Sequence, residues 1–348
     1  MKLCRIRDYG IVIGEMPTGN RNKISDVPGE TVGHYTAADD RHNTGVTVIL
    51  PAQDNLFADK MTAAVHVING FGKTCGTVQV NELGTLETPI ALTNTLNVGK
   101  VADALVGWTL ERCRADGVGC FSVNPIVGET NDAGLNEIAD RVIGEAEVRA
   151  AIDSACADFA EGAVGAGRGT SCFGLKGGIG SASRVVNIDG TDYTVGVLVQ
   201  SNFGRTSDLM IDGKPVGKRI ARKIKEEQAH IDRGSIMIVL ATDVPLSEQQ
   251  LGRVLRRAVV GLARTGSFVG HGSGDVVIGF TTANRYRRDD GSFRSIQTLN
   301  DRHMDAVFRA AAEAVEESVL NSMTMAEPVT GPNGNRKRSI GEFLPECL

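Results

Sequence analysis

The run Ile236-Met237-Ile238-Val239-Leu240-Ala241 is apolar at every position. A half-buried strand alternates polar and apolar residues, whereas a β-branched run without alternation suits a strand buried on both faces. A chain that contains such a strand needs apolar layers on either side of one sheet. With 348 residues, 41% of them hydrophobic, this chain can supply them. Tyr193 to Gln200 and Val276 to Phe280 read as further strands, as do Val46 to Leu50, Ala63 to Ile68 and the short stretch Pro89 to Asn94. The turn Ile24 to Gly29 leads into Val32-Gly33-His34-Tyr35, and Asn69-Gly70 carries a hairpin-type turn signal.

Three helices are expected between the strands. Asn97 is placed to cap the first, with Val101, Leu105 and Trp108 on one face. Ser247 with Gln250 forms a capping box for the second, whose face is Leu251, Val254, Leu255, Ala258, Val259 and Leu262, closed by Gly266. The third runs near Asp301 to Met323, with Met304, Val307, Phe308, Ala311, Val315 and Val319 inward. The tail from Pro328 to Leu348 is turn-rich. Strand-rich groups with amphipathic helices imply sheets covered by helices in layers, an α+β chain. No domain boundary is evident, so residues 1–348 read as a single domain. The one break in character is Asp212 to Arg233, whose Lys214, Lys218, Arg219, Arg222, Lys223 and Lys225 mix with Glu226, Glu227 and Asp232. It reads as a solvated, flexible linker.

Composition narrows the function classes. A net charge of −5 argues against nucleic acid or an anionic membrane as the main partner, and the basic stretch has no interleaved aromatics. No apolar run approaches the roughly 18 residues of a membrane span. The N-terminus, Met1-Lys2-Leu3-Cys4-Arg5, lacks an apolar signal core. The 7 cysteines show no C-x-x-C spacing, so reduced thiols and a cytoplasmic location are expected. The 6 histidines are scattered without an H-E-x-x-H pattern, so neither a metal nor another cofactor is indicated.

Gly234-Ser235 stands where the charged stretch meets the apolar strand. Gly-Ser is a common turn pair. The chemical alternative is that the chain cuts itself here. Ser235 then becomes an N-terminal residue carrying both a hydroxyl nucleophile and an α-amine, whose reference pKa of about 7.7–8.0 suits it to take the hydroxyl proton. Gly234, lacking a Cβ, leaves room for attack on its carbonyl. Three other stretches hold candidate groups. Pro125 to Asn136 is rich in carboxylate and amide side chains, read either as an Asx-rich turn or as a site at a strand end. Asn202, at the end of a strong strand, is either a turn residue or an amide aimed into a pocket. In Gly270-His271-Gly272-Ser273-Gly274-Asp275, Ser273 and Asp275 lie on one side of an extended chain and can orient an amine. The glycine-dense Glu161 to Arg184 fits no phosphate-loop spacing, and its glycines are read as allowing close backbone approach.

Taken in order, several segments resemble one family. They are Asn94-Thr95 with Val98-Gly99, Gly128-Glu129-Thr130 with Asp132 and Leu135-Asn136, and Lys176 to Arg184. Val199 to Gly204, Gly234-Ser235 before a strand ending Ala241-Thr242-Asp243, and Gly272 to Asp275 complete the set. The chain resembles, from about Ile24 to about Pro332, the self-processing serine aminopeptidases of the L-aminopeptidase/D-esterase type, which include the β-peptidyl aminopeptidases. The resemblance implies a four-layer αββα sandwich, similar to the N-terminal nucleophile hydrolases but differently connected. It implies autocleavage into an α chain, 1–234, and a β chain, 235–348. By position Ser235 matches the nucleophile, Asn202 the oxyanion amide, and Ser273 with Asp275 the pair holding the amine. Some members carry Glu where this chain has Asp275, and Tyr where it has Asn131, so Asn131 is a candidate substrate-binding position with altered specificity. Short peptides, amino-acid amides or esters are the implied substrates, and a tetramer of αβ units the implied assembly. Two alternatives remain at this point: an amidase or acyltransferase acting on a small metabolite, and an unprocessed, non-catalytic relative that binds a ligand or serves as a scaffold.

Overall fold

In the computed structural model, residues 3–224 and 234–347 are described. The strands are β1 (Thr31–Ala38), β2 (Asn43–Leu50), β3 (Asp59–Gly70), β4 (Thr85–Leu86), β5 (Ile90–Asn94), β6 (Ile126–Thr130), β7 (Ser171–Cys172), β8 (Leu175–Lys176), β9 (Gly178–Ile188), β10 (Thr191–Asn202), β11 (Ser235–Thr242), β12 (Gly274–Arg287), β13 (Val329–Thr330) and β14 (Arg336–Lys337). The helices are α1 (Thr77–Leu83), α2 (Val98–Ala115), α3 (Glu145–Asp153), α4 (Val216–Ile224), α5 (Glu248–Leu255), α6 (Ala258–Arg264), α7 (Met304–Thr324) and α8 (Leu344–Cys347).

Two sheets dominate. One is 4-stranded, in the order β1-β2-β5-β6, and the other 6-stranded, in the order β4-β3-β12-β11-β10-β9. Pairing is antiparallel except at β5/β6 and β11/β12. Side-chain alternation along β11 shows the layering. Met237, Val239 and Ala241 enter a core between the two sheets, together with Leu92, Leu198 and Phe280. Ile236, Ile238 and Leu240 enter a second core under α5, α6 and α7. Helices α2 and α3 close the smaller sheet over Val48, Ala91, Leu105 and Val148. The result is the αββα sandwich implied above, with β11 buried on both faces as its unbroken apolar run requires. No helix among the described residues is long and apolar enough to cross a membrane.

Several local expectations are corrected. Asp212 to Arg233 is not linker throughout: Val216–Ile224 is helix α4, which buries Val216 and Ile220, one turn apart. The remainder, 225–233, lies outside the described residues. The helix after Ser247 keeps its capping box but is two helices, α5 and α6, broken at Arg256-Arg257. Asn97 makes no side-chain cap on α2; Asn94 Oδ1 instead accepts from the backbone N–H groups of Leu96 and Asn97, both at 3.1 Å. Asn69-Gly70 is no hairpin, because β3 pairs with β12 and β4. Helix α7 is not simply amphipathic, since every residue from Ala310 to Thr324 is buried. It lies across β9 and β10 while α6 packs beside it. Close approach is possible because Gly180 has no side chain: a Cβ there would sit 2.1 Å from the Ser318 carbonyl oxygen.

Candidate active site

The candidate residues meet at one end of the space between the sheets. Ser235 opens β11 and pairs with Asn202, which ends β10, on one side and with Gly274, which opens β12, on the other. Ser235 is in phase with Met237 and Val239, so its side chain shares the inter-sheet face. Asn202 is in phase with Leu198 on the same face. Ser235 and Asn202 are each 8% exposed, at the rim of the buried layer.

The Ser235 hydroxyl donates to the Gly234 carbonyl oxygen at 2.8 Å and accepts from the Gly274 N–H at 3.2 Å. The oxygen is therefore held beside the carbonyl of its own preceding peptide. Gly234 is glycine for a reason the sequence alone did not show: a Cβ there would lie 2.2 Å from Phe203 Cα, so the backbone of the neighbouring strand occupies that space.

Ser273 and Asp275 bracket Gly274. The Ser273 hydroxyl donates to Asp275 Oδ1 at 2.7 Å, and both side chains are buried. The loop before them is fixed from β3, where the Asn69 amide donates to the carbonyls of Gly270 at 3.2 Å and His271 at 3.1 Å, and also to that of Ser273. Asn69, read in the sequence only as a turn residue, is thus part of the frame. Four of the candidates, Ser235, Asn202, Ser273 and Asp275, come together around the first residues of two parallel strands.

The Asn202 carboxamide is held at both ends. Its Oδ1 accepts from the Ser171 N–H at 2.9 Å, and its Nδ2 donates to the Asn131 carbonyl oxygen at 3.0 Å. An amide nitrogen carries two donors, so among the described residues one N–H remains for an incoming oxygen. Asn131 reaches the site through its backbone. Its side chain is exposed, and its Oδ1 accepts from the Ala133 N–H at 3.1 Å in an Asx turn.

One further carboxylate, to which the sequence assigns no role, lies near the site. Glu129, near the end of β6, is 3% exposed. Its Oε1 accepts from the Lys73 N–H at 2.9 Å, and its Oε2 accepts from the Thr95 hydroxyl. A methyl group added at Gly72 would lie 3.6 Å from Glu129 Oε1 and 3.7 Å from Gly274 Cα, so one small space separates this carboxylate from the strand start that touches Ser235. The signal available in the sequence was a charged residue inside the run Ile126-Val127-Gly128-Glu129-Thr130. Among the described residues, no group of three or more His, Cys, Asp and Glu side chains is placed to hold a metal ion.

Residues 22–337 match peptidase family S58. The β-peptidyl aminopeptidase BapA of Sphingosinicella microcystinivorans is 37% identical over 353 residues, covering 95% of this chain and 88% of that one. Among solved structures, a β-aminopeptidase from a Burkholderia species superposes with a TM-score of 0.90 at 39% identity, covering 99% of each chain. The L-aminopeptidase D-Ala-esterase/amidase of Ochrobactrum anthropi, described as a variant of the Ntn hydrolase fold, superposes with a TM-score of 0.91 at 36% identity, covering 99% of this chain and 98% of that one.

Proposed function

The chain belongs to peptidase family S58 and is a serine aminopeptidase of the N-terminal nucleophile class; on that premise we propose that it processes itself, with Ser235 its nucleophile and Gly234-Ser235 the bond cut in maturation. The observation that carries this reading is the Ser235 hydroxyl, 2.8 Å from the Gly234 carbonyl oxygen and anchored by the Gly274 N–H. In maturation the hydroxyl oxygen bonds to the Gly234 carbonyl carbon, its proton passes to the Ser235 nitrogen as the C–N bond breaks, and an ester links the two segments. Water then cleaves the ester. The products are an α chain ending at Gly234 and a β chain starting at Ser235.

In the mature site the Ser235 α-amine accepts the hydroxyl proton as Oγ attacks the substrate carbonyl. The Ser273–Asp275 pair orients that amine and stabilises its ammonium form. The free N–H of Asn202 receives the developing oxyanion, a contribution of roughly 3–4 kcal/mol in comparable acyl transfers. The protonated amine then supplies the proton on the leaving amine, and water frees the acyl group. An aminopeptidase must also recognise an ammonium group. Glu129, a buried carboxylate next to the Gly72–Gly274 space, is proposed to accept it. Short peptides and amino-acid amides are the substrates this arrangement suits, with esters following from the same acyl-enzyme.

Denaturing intact-mass measurement tests the reading. Two chains with a break between Gly234 and Ser235 are expected, and Ser235→Ala is expected to stay as one chain without peptidase activity. Cleavage of that bond in Ser235→Ala would overturn autocatalysis by this serine. Assembly into a tetramer of αβ units is proposed from the resemblance to the self-processing serine aminopeptidases, and is checked by sedimentation. A cytoplasmic location is proposed from the cysteine usage.

A further inference from the structure

Two loops grip the Asn202 carboxamide, and each is built around a buried ionisable side chain that has no role in the chemistry above. Ser171, which holds Oδ1, belongs to the stretch 167–177. Inside that stretch lies Lys176, whose side chain is fully buried. Its Nζ donates to the carbonyl oxygens of Gly167 at 2.9 Å, Thr170 at 2.8 Å and Gly177 at 2.6 Å. An ammonium has three donors, and these three carbonyls take all of them. Lys176 is therefore no general base: it is the hub on which the loop is wound.

Asn131, which holds Nδ2, begins the turn through Asn136. Behind it lies Asp132, 1% exposed. Its Oδ2 accepts from the Thr44 hydroxyl at 2.6 Å and its Oδ1 from Asn136 Nδ2 at 3.0 Å. Its own carbonyl accepts from the N–H groups of Leu135 at 2.9 Å and Asn136 at 3.0 Å. The two loops interlock at Gly169, where an added Cβ would lie 2.8 Å from Asp132 Cβ and 2.1 Å from the Asn43 carbonyl oxygen.

The terminal torsion of an asparagine is soft. An oxyanion donor lowers a barrier only if it is already aimed at the place where charge develops. We propose that Lys176 and Asp132 are positioning residues for Asn202: each fixes the loop that holds one end of its carboxamide, and so aims the remaining N–H at the oxyanion. The proposal rests on Asn202 being the oxyanion donor.

The test is a set of double-mutant cycles on the mature enzyme, with an amino-acid p-nitroanilide as the probe. Asn202→Ala is expected to lower kcat by about 100- to 1000-fold. Lys176→Met and Asp132→Asn are each expected to lower kcat by roughly 10- to 100-fold, with KM nearly unchanged, because aim matters in the transition state rather than in substrate binding. In the Asn202→Ala background neither change is expected to lower kcat much further, since the group it aims is gone. A generally loosened fold would lose activity in both backgrounds. Wild-type kcat in Lys176→Met and Asp132→Asn, or losses that multiply with that of Asn202→Ala, overturns the proposal. Wild-type kcat in Asn202→Ala removes the donor on which it rests, a separate failure visible in the single variant. If Lys176→Met does not fold, the nearly isosteric Asp132→Asn carries the same cycle.

Discussion

The molecule buries charge in two ways, and they serve different ends. Under α7, Arg184 is fully buried and salt-bridged to Glu313 at 3.1 Å and Glu317 at 2.7 Å. Arg7 also pairs with Glu317 at 2.7 Å, and the Glu313 carboxylate accepts from the Glu15 and Met16 N–H groups at 3.2 and 3.1 Å. Hydrogen bonding to Arg7, with the nearby charges of Arg184 and Arg7, outweighs burial and holds the Glu317 carboxyl below its ordinary value. This cluster ties the N-terminal segment, β9 and α7 into one body. Around Asn202 the hydrogen-bond partners of the buried charges are neutral: Lys176 meets backbone carbonyls, and Asp132 a hydroxyl and an amide. Burial there pushes the Lys176 ammonium well down and the Asp132 carboxyl up to about 6. Ion-paired burial holds the fold together. Burial among neutral dipoles destabilises the charged form, and is understandable where geometry at a site matters more than stability.

Breaking the first arrangement has the largest expected effect. Arg184→Met leaves Glu313 and Glu317 buried with their main counter-charge removed, and is expected to destabilise the protein by about 3–5 kcal/mol. Urea or guanidinium unfolding monitored by circular dichroism reads this directly. A loss under about 1 kcal/mol would mean that the cluster is held by its backbone bonds rather than by charge, and the comparison would fail.

The second arrangement is probed by pH. The Asp132 pKa is raised in the folded state, to about 6, because burial disfavours the carboxylate. The folded protein therefore holds a proton there that the unfolded chain releases. The resulting stability is fully present below about pH 4 and is lost as pH rises through about 6, a change of about 3 kcal/mol for a two-unit shift. His34 acts with the opposite sign. Burial lowers its pKa to about 4, so its contribution is present above about pH 6.5 and is lost as pH falls toward 4. The two partly cancel between pH 4 and 6. Asp132→Asn removes one of them, so its stability is expected to fall more steeply on acidification than that of the wild type. Parallel stability–pH curves would show that Asp132 does not titrate in this window.

How much of this was legible in the sequence follows from where each signal is local. The apolar run of β11 was readable, and so was the placement of Gly234-Ser235, Asn202 and the Ser273–Asp275 pair at strand ends, because each is a short local pattern. The charged stretch after Asp212 misled: counting its basic residues hid Val216 and Ile220, whose spacing buries one face of α4. Lys176 was read as part of a glycine-dense segment and of the family resemblance, with no role of its own. No local pattern shows that the carbonyls of residues 167, 170 and 177 would curl around its ammonium. Glu313 and Glu317 sit one helical turn apart and look like a solvated face. Their partners Arg7 and Arg184 are far away in sequence, so only the tertiary structure shows the pairing.

A third buried ionisable group, Glu30, differs from both arrangements. Glu30 opens the way into β1 and is 2% exposed, and among the described residues neither carboxyl oxygen finds a hydrogen-bond partner. It has neither the counter-charge of Glu317 nor the dipoles around Asp132. Burial raises its pKa well above the ordinary value, so the folded protein carries it protonated where the unfolded chain would ionise it. Its contribution to stability is present below about pH 4 and is lost as pH rises through the folded pKa. Glu30→Gln keeps shape and burial but removes the ionisation. At pH 7 it is expected to stabilise the protein by about 1 kcal/mol, modestly because the amide still buries polar atoms. At pH 4 little change is expected. Thermal unfolding at the two pH values decides it: a gain at pH 7 alone means that the unpartnered carboxyl is a liability of the native fold. A loss at both would show that Glu30 has a partner that its carboxyl group needs and an amide cannot replace.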